Sequence, residues 1–186
     1  MLFRSSQNTI QEVNRRKKPG DFLLLFGGLW HYEIGQALSD MLMVEPAIGY
    51  PASFCQFKVY PSYAELHYNV EDQNKIMPFY HVVIPHYFDQ ADFYMRPKDD
   101  YVLFIARLNF DKGITLAIDL TARLGLKLKV AGQGNLADLG YTKIPDHVEF
   151  VGFVDVQQRK ELMAKARATL MLTLYMEPFG CVAIES

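Results

Sequence analysis

Apolar runs and apolar stripes alternate along this chain. Phe22–Phe26 is apolar at every position and ends on Gly27-Gly28, the pattern of a strand buried on both faces, as in a parallel sheet. Before it, residues 6–18 read as a polar helix stopped by Pro19-Gly20. After it the pattern predicts a helix over 31–38 and a short strand over 41–45. A loop rich in Pro, Gly, Ser and aromatic residues then covers 46–62, with one short strand near 57–60. A helix over 62–70 precedes a polar loop, and His81–Ile84 is a strand ended by Pro85.

The second half is more regular. Tyr101–Ala106 is an apolar strand, and Gly113–Leu124 reads as a helix with Leu116, Ala117, Leu120 and Leu124 on one stripe. Gly125 follows where a left-handed C-cap is expected. Lys127–Ala131 is a strand running into Gly132-Gln-Gly134, and His147–Val151 is another, ending at Gly152. Asp155 is placed to N-cap a helix reaching Ala168, and Thr169–Leu174 is a further strand. Strand and helix alternate throughout, which predicts an α/β fold with a parallel sheet and right-handed crossovers. The stretch 86–100 carries Pro97, Lys98, Asp99 and Asp100 and reads as a boundary. The expected division is therefore 1–95 and 96–186.

Composition narrows the function classes. The chain has 186 residues, 50% hydrophobic and 22% charged, with 19 basic and 21 acidic side chains and a formal net charge of −2. These fractions belong to a folded globular chain, and the balance argues against a nucleic-acid partner, which would call for a plainly basic surface. Cys55 and Cys181 are far apart and in no metal spacing, which fits a reduced, cytoplasmic compartment. The N-terminal stretch ends in Arg15-Arg-Lys-Lys18, the reverse of a signal peptide's order. That basic run reads as a solvated helix C-terminus, or else as a nuclear signal or phosphate patch. The longest apolar runs fall far short of the ~18 residues a transmembrane helix needs.

In an open parallel sheet, ligands bind at the carboxyl ends of the strands. Arg107 and Lys112 bracket a tight strand-to-helix loop there, where two cations, free backbone N–H groups and the helix dipole suit a diphosphate. As plain surface residues they would instead pair with Asp99, Asp100 or Asp111. Gly132 and Gly134 suit close approach of a ligand or a tight turn, and the full dinucleotide fingerprint is absent. Glu177, in Glu177-Pro-Phe-Gly180, places a carboxylate at a strand end. Glu185 lies eight residues on, about two helical turns of 3.6. Two carboxylates on one face beside a cationic loop suit a ligand with hydroxyls at one end and phosphates in the middle; a surface acid pair is the plainer reading. His81, His86 and Asp89 are better explained by a strand end and linker than by a metal site.

Five segments combine these features. They are Val83-Ile-Pro-His-Tyr-Phe-Asp89 with Phe93 following; Phe104-Ile-Ala-Arg-Leu-Asn-Phe-Asp-Lys-Gly113; Val130-Ala-Gly-Gln-Gly134; Val148-Glu-Phe-Val-Gly-Phe153; and Thr173-Leu-Tyr-Met-Glu-Pro-Phe-Gly-Cys-Val-Ala-Ile-Glu185. In this order and spacing they resemble the retaining, nucleotide-sugar-dependent glycosyltransferases of family 4, whose GT-B architecture has two Rossmann-like domains. The resemblance implies that Arg107 and Lys112 hold the donor diphosphate as it leaves. It implies that Glu177, with the backbone of Phe179 and Gly180, faces the donor sugar. Glu185 would bond the ribose, and Gly132, Gly134, Val151 and Gly152 would lie near the base. The implied partners are a nucleotide-diphosphate sugar and a glycan, lipid or small-molecule acceptor. No cofactor or metal is implied, and the chain has no Asp-x-Asp pair. Peripheral membrane association stays compatible with this reading.

Three departures stand out. Ala106 replaces the usual glycine, His86-Tyr-Phe-Asp89 replaces Asn-Gly-Ile/Val-Asp, and the chain stops at Ser186. On this reading residues 1–95 are the end of the acceptor-side domain with its linker, and 96–186 are a truncated donor domain. Both domains are then incomplete, and the piece alone is expected to be poorly stable and catalytically weak. His31, Glu45 and His67 are the acceptor-side candidates. The alternatives are an inactive sugar-nucleotide-binding module, an epimerase, or a phosphorylase. No lysine is marked for the pyridoxal phosphate the last would need.

Overall fold

The computed structural model describes residues 2–72 and 78–186. Two compact units divide between His86 and Tyr87.

The first unit opens with helix α1 (Leu2–Arg16), whose last turn carries Arg15 and Arg16. Both arginines pair with Glu12 one turn back, and Lys17 pairs with Asp40 at 2.5 Å. Three of the four cations in the basic run are thus paired, with two carboxylates between them. Strands β1 (Phe22–Leu24), β2 (Leu42–Glu45), β3 (Phe57–Tyr60) and β4 (His81–Val83) form a parallel sheet in that order. Helix α2 (Tyr32–Ala37) joins β1 to β2, and α3 (Tyr63–Asp72) joins β3 to β4. The polar loop expected after α3 falls partly on 73–77, outside the described residues.

The helices meet only one face of this sheet. Leu25, Ile34, Leu38 and Cys55 form a core with Ile10 and Val13 of α1 and with Leu23 and Met43. Ile48, Tyr60 and Leu66 form a second, with Val83. Side chains alternate across a strand, and the pairing register puts Phe22, Leu24, Leu42 and Val82 on the opposite face. All four are exposed there. This corrects the expectation that Phe22–Phe26 is buried on both sides: β1 is an edge strand with one covered face.

In the second unit, strands β5 (Val102–Ile105), β6 (Leu128–Ala131) and β7 (Val148–Gly152) are parallel and adjacent. Both faces are covered. Val102, Phe104, Leu128 and Val130 pack with Ile114, Ala117 and Ile118 of helix α4 (Ile114–Leu124). Leu103, Ile105 and Ala131 pack with Met163 of helix α5 (Val156–Lys165). The buried stripe of α4 is Ile114, Ala117, Ile118 and Thr121, while Leu116, Leu120 and Leu124 are exposed. Two apolar stripes compete on this helix, and the one spaced i, i+3, i+4, i+7 from Ile114 docks. Gly125 adopts the expected left-handed C-cap at φ 63°. Asp155 N-caps α5 in a full capping box with Gln158.

That helix stops at Lys165 rather than Ala168 because the next residues join the sheet. Arg167 N donates to Tyr101 O and Leu103 N to Ala168 O, both at 2.9 Å, and Leu170 N to Leu103 O at 2.7 Å. The strand expected over Thr169–Leu174 is reduced to one parallel bridge, Leu103 with Thr169. Beyond it the chain leaves the sheet and Leu174 N donates to Asp111 O at 2.8 Å. Among the described residues no helix is long and apolar enough to cross a membrane.

Candidate functional site

The candidate site is built where β5 and β6 end. Ala106 N donates to Ala131 O at 3.1 Å, and Leu108 N to Gln133 O at 2.8 Å, so the two loops run together past the strands. Gly132 and Gly134 make this approach feasible. A Cβ on Gly132 would lie 1.8 Å from Ala106 O, and one on Gly134 2.8 Å from Leu108 Cβ. The space beside these glycines is filled by the Arg107 loop, so they brace that loop.

Asn109 then caps a single 3₁₀ turn, Phe110–Lys112, its side chain accepting from Lys112 N at 3.0 Å. Gly113 ends the turn at φ 76°, and a Cβ there would meet Leu172 O at 2.0 Å. These constraints bring Lys112 against the segment 172–177. Its Nζ donates to Glu177 Oε2 at 2.7 Å and to the Tyr175 hydroxyl, and lies 4.7 Å from the Tyr175 ring centre. The Tyr175 hydroxyl donates to the same Glu177 oxygen at 2.9 Å. The ion pair is sheltered, with the lysine side chain 16% and the glutamate 27% exposed. Burial alone would lower the Lys112 pKa, but the bonds to Glu177 and Tyr175 outweigh it and raise it.

Arg107 is exposed beside this cluster, and its guanidinium has no hydrogen-bond or ion-pair partner among the described residues. Asp100, one of its expected surface partners, binds Arg167 at 2.9 Å and Lys127 at 3.4 Å. Arg107, Lys112, Glu177 and Gly180 line one cavity of about 220 Å³, together with Thr173 and Cys181.

Other expected site residues lie apart from that cavity. Glu185 is the last residue of α6 (Cys181–Glu185), which starts after Gly180 at φ 77°. The turn Pro178–Gly180 takes up part of the eight-residue spacing, so Glu177 and Glu185 do not share a helix face. Glu185 pairs with Arg159 at 3.0 Å, its side chain is 8% exposed, and its Oε2 has no hydrogen-bond partner among the described residues. It lines a larger cavity of about 490 Å³ with Arg159 and Phe88. Phe179 stacks on Phe88, centres 6.1 Å apart and planes within 7°. Gly132 N donates to Gly152 O at 2.8 Å, and Val151 lines a third cavity with Tyr101 and Lys129.

On the first unit, His31 is half-buried with Nδ1 against Phe26 O, and His67 is exposed on α3 beside the Tyr63 ring. Glu45, the third acceptor-side candidate, lies at the end of β2. It is fully buried, and it accepts from Phe54 N at 2.9 Å, Cys55 N at 3.0 Å and the Tyr50 hydroxyl at 3.1 Å. It pins the loop after β2. Burial first, and then the Glu45 charge, push the Cys55 thiol up to about 11. Asp89 likewise serves its own turn, accepting from Ala91 N at 2.9 Å. Among the described residues no group of three or more His, Cys, Asp or Glu is gathered as a metal site requires.

The sequence reading gives no role to Tyr175 or Asn109, which lie inside the motif segments, or to Arg159, which lies outside them. Only Tyr175 has a legible signal: in an extended segment, a residue two before Glu177 points to the same side.

The model of the family "Glycosyl transferases group 1" matches residues 88–186, more than half of the chain. This chain belongs to that family. Every residue lining the group 1 cavity with Arg107 lies inside the matched segment. Solved structures agree on the fold. AviGT4, a glycosyltransferase involved in avilamycin A biosynthesis, has a TM-score of 0.66 at 21% identity, over 95% of this chain and 56% of its own. TarM has a TM-score of 0.71 at 11% identity, over 95% of this chain and 41% of its own. The chain thus spans about half the length of these two proteins and shares their Rossmann-like, GT-B type α/β fold. No curated protein matches it by sequence.

Proposed function

We propose that this chain carries the donor site of a retaining glycosyltransferase of family 4 type, which moves a sugar from a nucleotide-diphosphate sugar to an acceptor hydroxyl without a metal ion. The observation that carries the reading is the unpaired Arg107 beside the sheltered Lys112–Glu177 pair in one cavity at the strand ends. Two cations there suit a diphosphate, and their charge stabilises it most as the bond to the sugar breaks. The sugar C1–oxygen bond to the phosphate breaks, the acceptor oxygen bonds C1 on the same face, and the leaving phosphate oxygen takes the acceptor's proton.

Glu177 and the backbone of Phe179 and Gly180 face the sugar in this reading. Glu185, with a buried oxygen lacking a partner, has capacity for one ribose hydroxyl. Gly132, Gly134, Val151 and Gly152 border the base. His31, Glu45 and His67 are the acceptor-side candidates of the first unit. The acceptor is a glycan, lipid or small molecule rather than a nucleic acid, and the location is cytoplasmic, with peripheral membrane contact allowed.

Calorimetric titration with UDP, GDP, ADP and their sugars tests this. One nucleotide series binds, and Arg107→Ala or Lys112→Ala weakens it at least about tenfold, the loss of one hydrogen bond to a charged group. Folded protein that binds none of them overturns the proposal. Activity undiminished by a chelator and a product with the donor's anomeric configuration support the metal-free, retaining mechanism; the opposite results remove it.

A further inference from the structure

We infer that Tyr175 is a positioning residue for the diphosphate site: its hydroxyl, with Glu177, fixes the Lys112 ammonium so that one N–H stays free for a phosphate oxygen. The inference rests on the donor-site reading above and deepens it. An ammonium has three N–H donors. One goes to the Tyr175 hydroxyl and one to Glu177 Oε2 at 2.7 Å. The third has no partner among the described residues, and Lys112 lines the same cavity as the unpaired Arg107.

The hydroxyl has a double role in this triangle. It accepts from Lys112 and donates to Glu177 Oε2 at 2.9 Å, so each partner holds the other two in register. A lysine side chain is long and loses much rotamer freedom when fixed. With Glu177 alone, the ammonium swings about one oxygen and its free donor points nowhere in particular. With the hydroxyl as a second fixed point, the third N–H has a defined direction before any ligand arrives, and that preorganisation carries the electrostatic effect. The ring's part is to hold the hydroxyl in place, since Nζ meets Tyr175 at its hydroxyl end.

Tyr175→Phe keeps the ring and removes only the hydroxyl at a partly exposed position, so folding is expected to survive, which a thermal melt checks. Titration with the nucleoside diphosphate that the wild-type protein binds best is the main readout. The variant binds about tenfold more weakly, the cost of ordering a freed lysine side chain when the ligand arrives. The matching nucleoside monophosphate, whose single phosphate reaches less of the site, is affected less. Tyr175→Ala, which also loses the ring, binds more weakly still.

The pH dependence separates positioning from general loosening. The contacts to Glu177 and Tyr175 hold the Lys112 proton on. Removing one lowers the pKa, so the alkaline loss of binding begins at lower pH in Tyr175→Phe than in the wild type. Wild-type affinity and an unshifted alkaline limb in Tyr175→Phe overturn the inference and leave the donor-site reading intact. Wild-type protein that binds no nucleoside diphosphate at all overturns both.

Discussion

Gly125 and Gly132 both have positive φ, 63° and 140°, yet different surroundings. A Cβ on Gly125 meets nothing within 4 Å, while one on Gly132 lies 1.8 Å from Ala106 O. Gly125→Ala therefore costs only the left-handed backbone of an L-residue, about 1 kcal/mol. Gly132→Ala adds a backbone clash that no side-chain rotation relieves, and costs at least about 3 kcal/mol. Urea midpoints at constant slope measure both, and equal shifts would contradict the account. The sequence shows that both positions are glycine. It does not show that a neighbouring loop by itself already demands glycine at the second. Glu45 is similar: its position before Pro46 is legible, but only the folded loop reveals that the amides of Phe54 and Cys55 occupy its carboxylate.

At the scale of elements, local signals served well where they act within a few residues. The C-cap at Gly125, the capping box of Asp155 and Gln158 and the positions of β5, β6 and β7 follow from short-range chemistry. They served less well where docking chooses between faces. Helix α4 carries apolar residues on two stripes, and the close approach of Gly113 to Leu172 O is part of the docking that turns Ile114, Ala117 and Ile118 inward. Ile118→Ala should cost about 3 kcal/mol by leaving a cavity, and Leu120→Ala within about 0.5 kcal/mol. Chemical denaturation of the two variants distinguishes the stripes, and the reverse order would mean that the helix docks a quarter-turn away. The fate of 169–174 has the same origin: its apolar run is strand-like, but Leu174 N is drawn to Asp111 O instead of a ladder.

At the scale of the molecule, the two units differ in how their sheets are covered. The β5–β7 sheet has side chains packed on both faces, whereas Phe22, Leu24, Leu42 and Val82 leave one face of the β1–β4 sheet open. Burial of apolar area is the main stabilising contribution, at roughly 25 cal/mol per Å², and a one-sided sheet has less of it. Amide hydrogen exchange should therefore protect β5 and β6 more strongly than β1 and β2. Equal protection in both units would show that the open face is not the weak point.

The sequence by itself determined the parallel α/β plan, the boundaries of most second-unit elements, and the group of residues at the ends of β5 and β6. Those follow from apolar periodicity and from glycine and capping chemistry, which act over a few positions. Only the tertiary structure decided which partners those residues hold. It joined Lys112 to Glu177 and Tyr175 across more than sixty positions. It turned Glu185 to Arg159, spent Glu45 inside the first unit, and left one face of the first sheet bare. The reason is physical: a hydrogen bond or a packed face depends on where distant segments come to rest, and no local pattern along the chain encodes that distance.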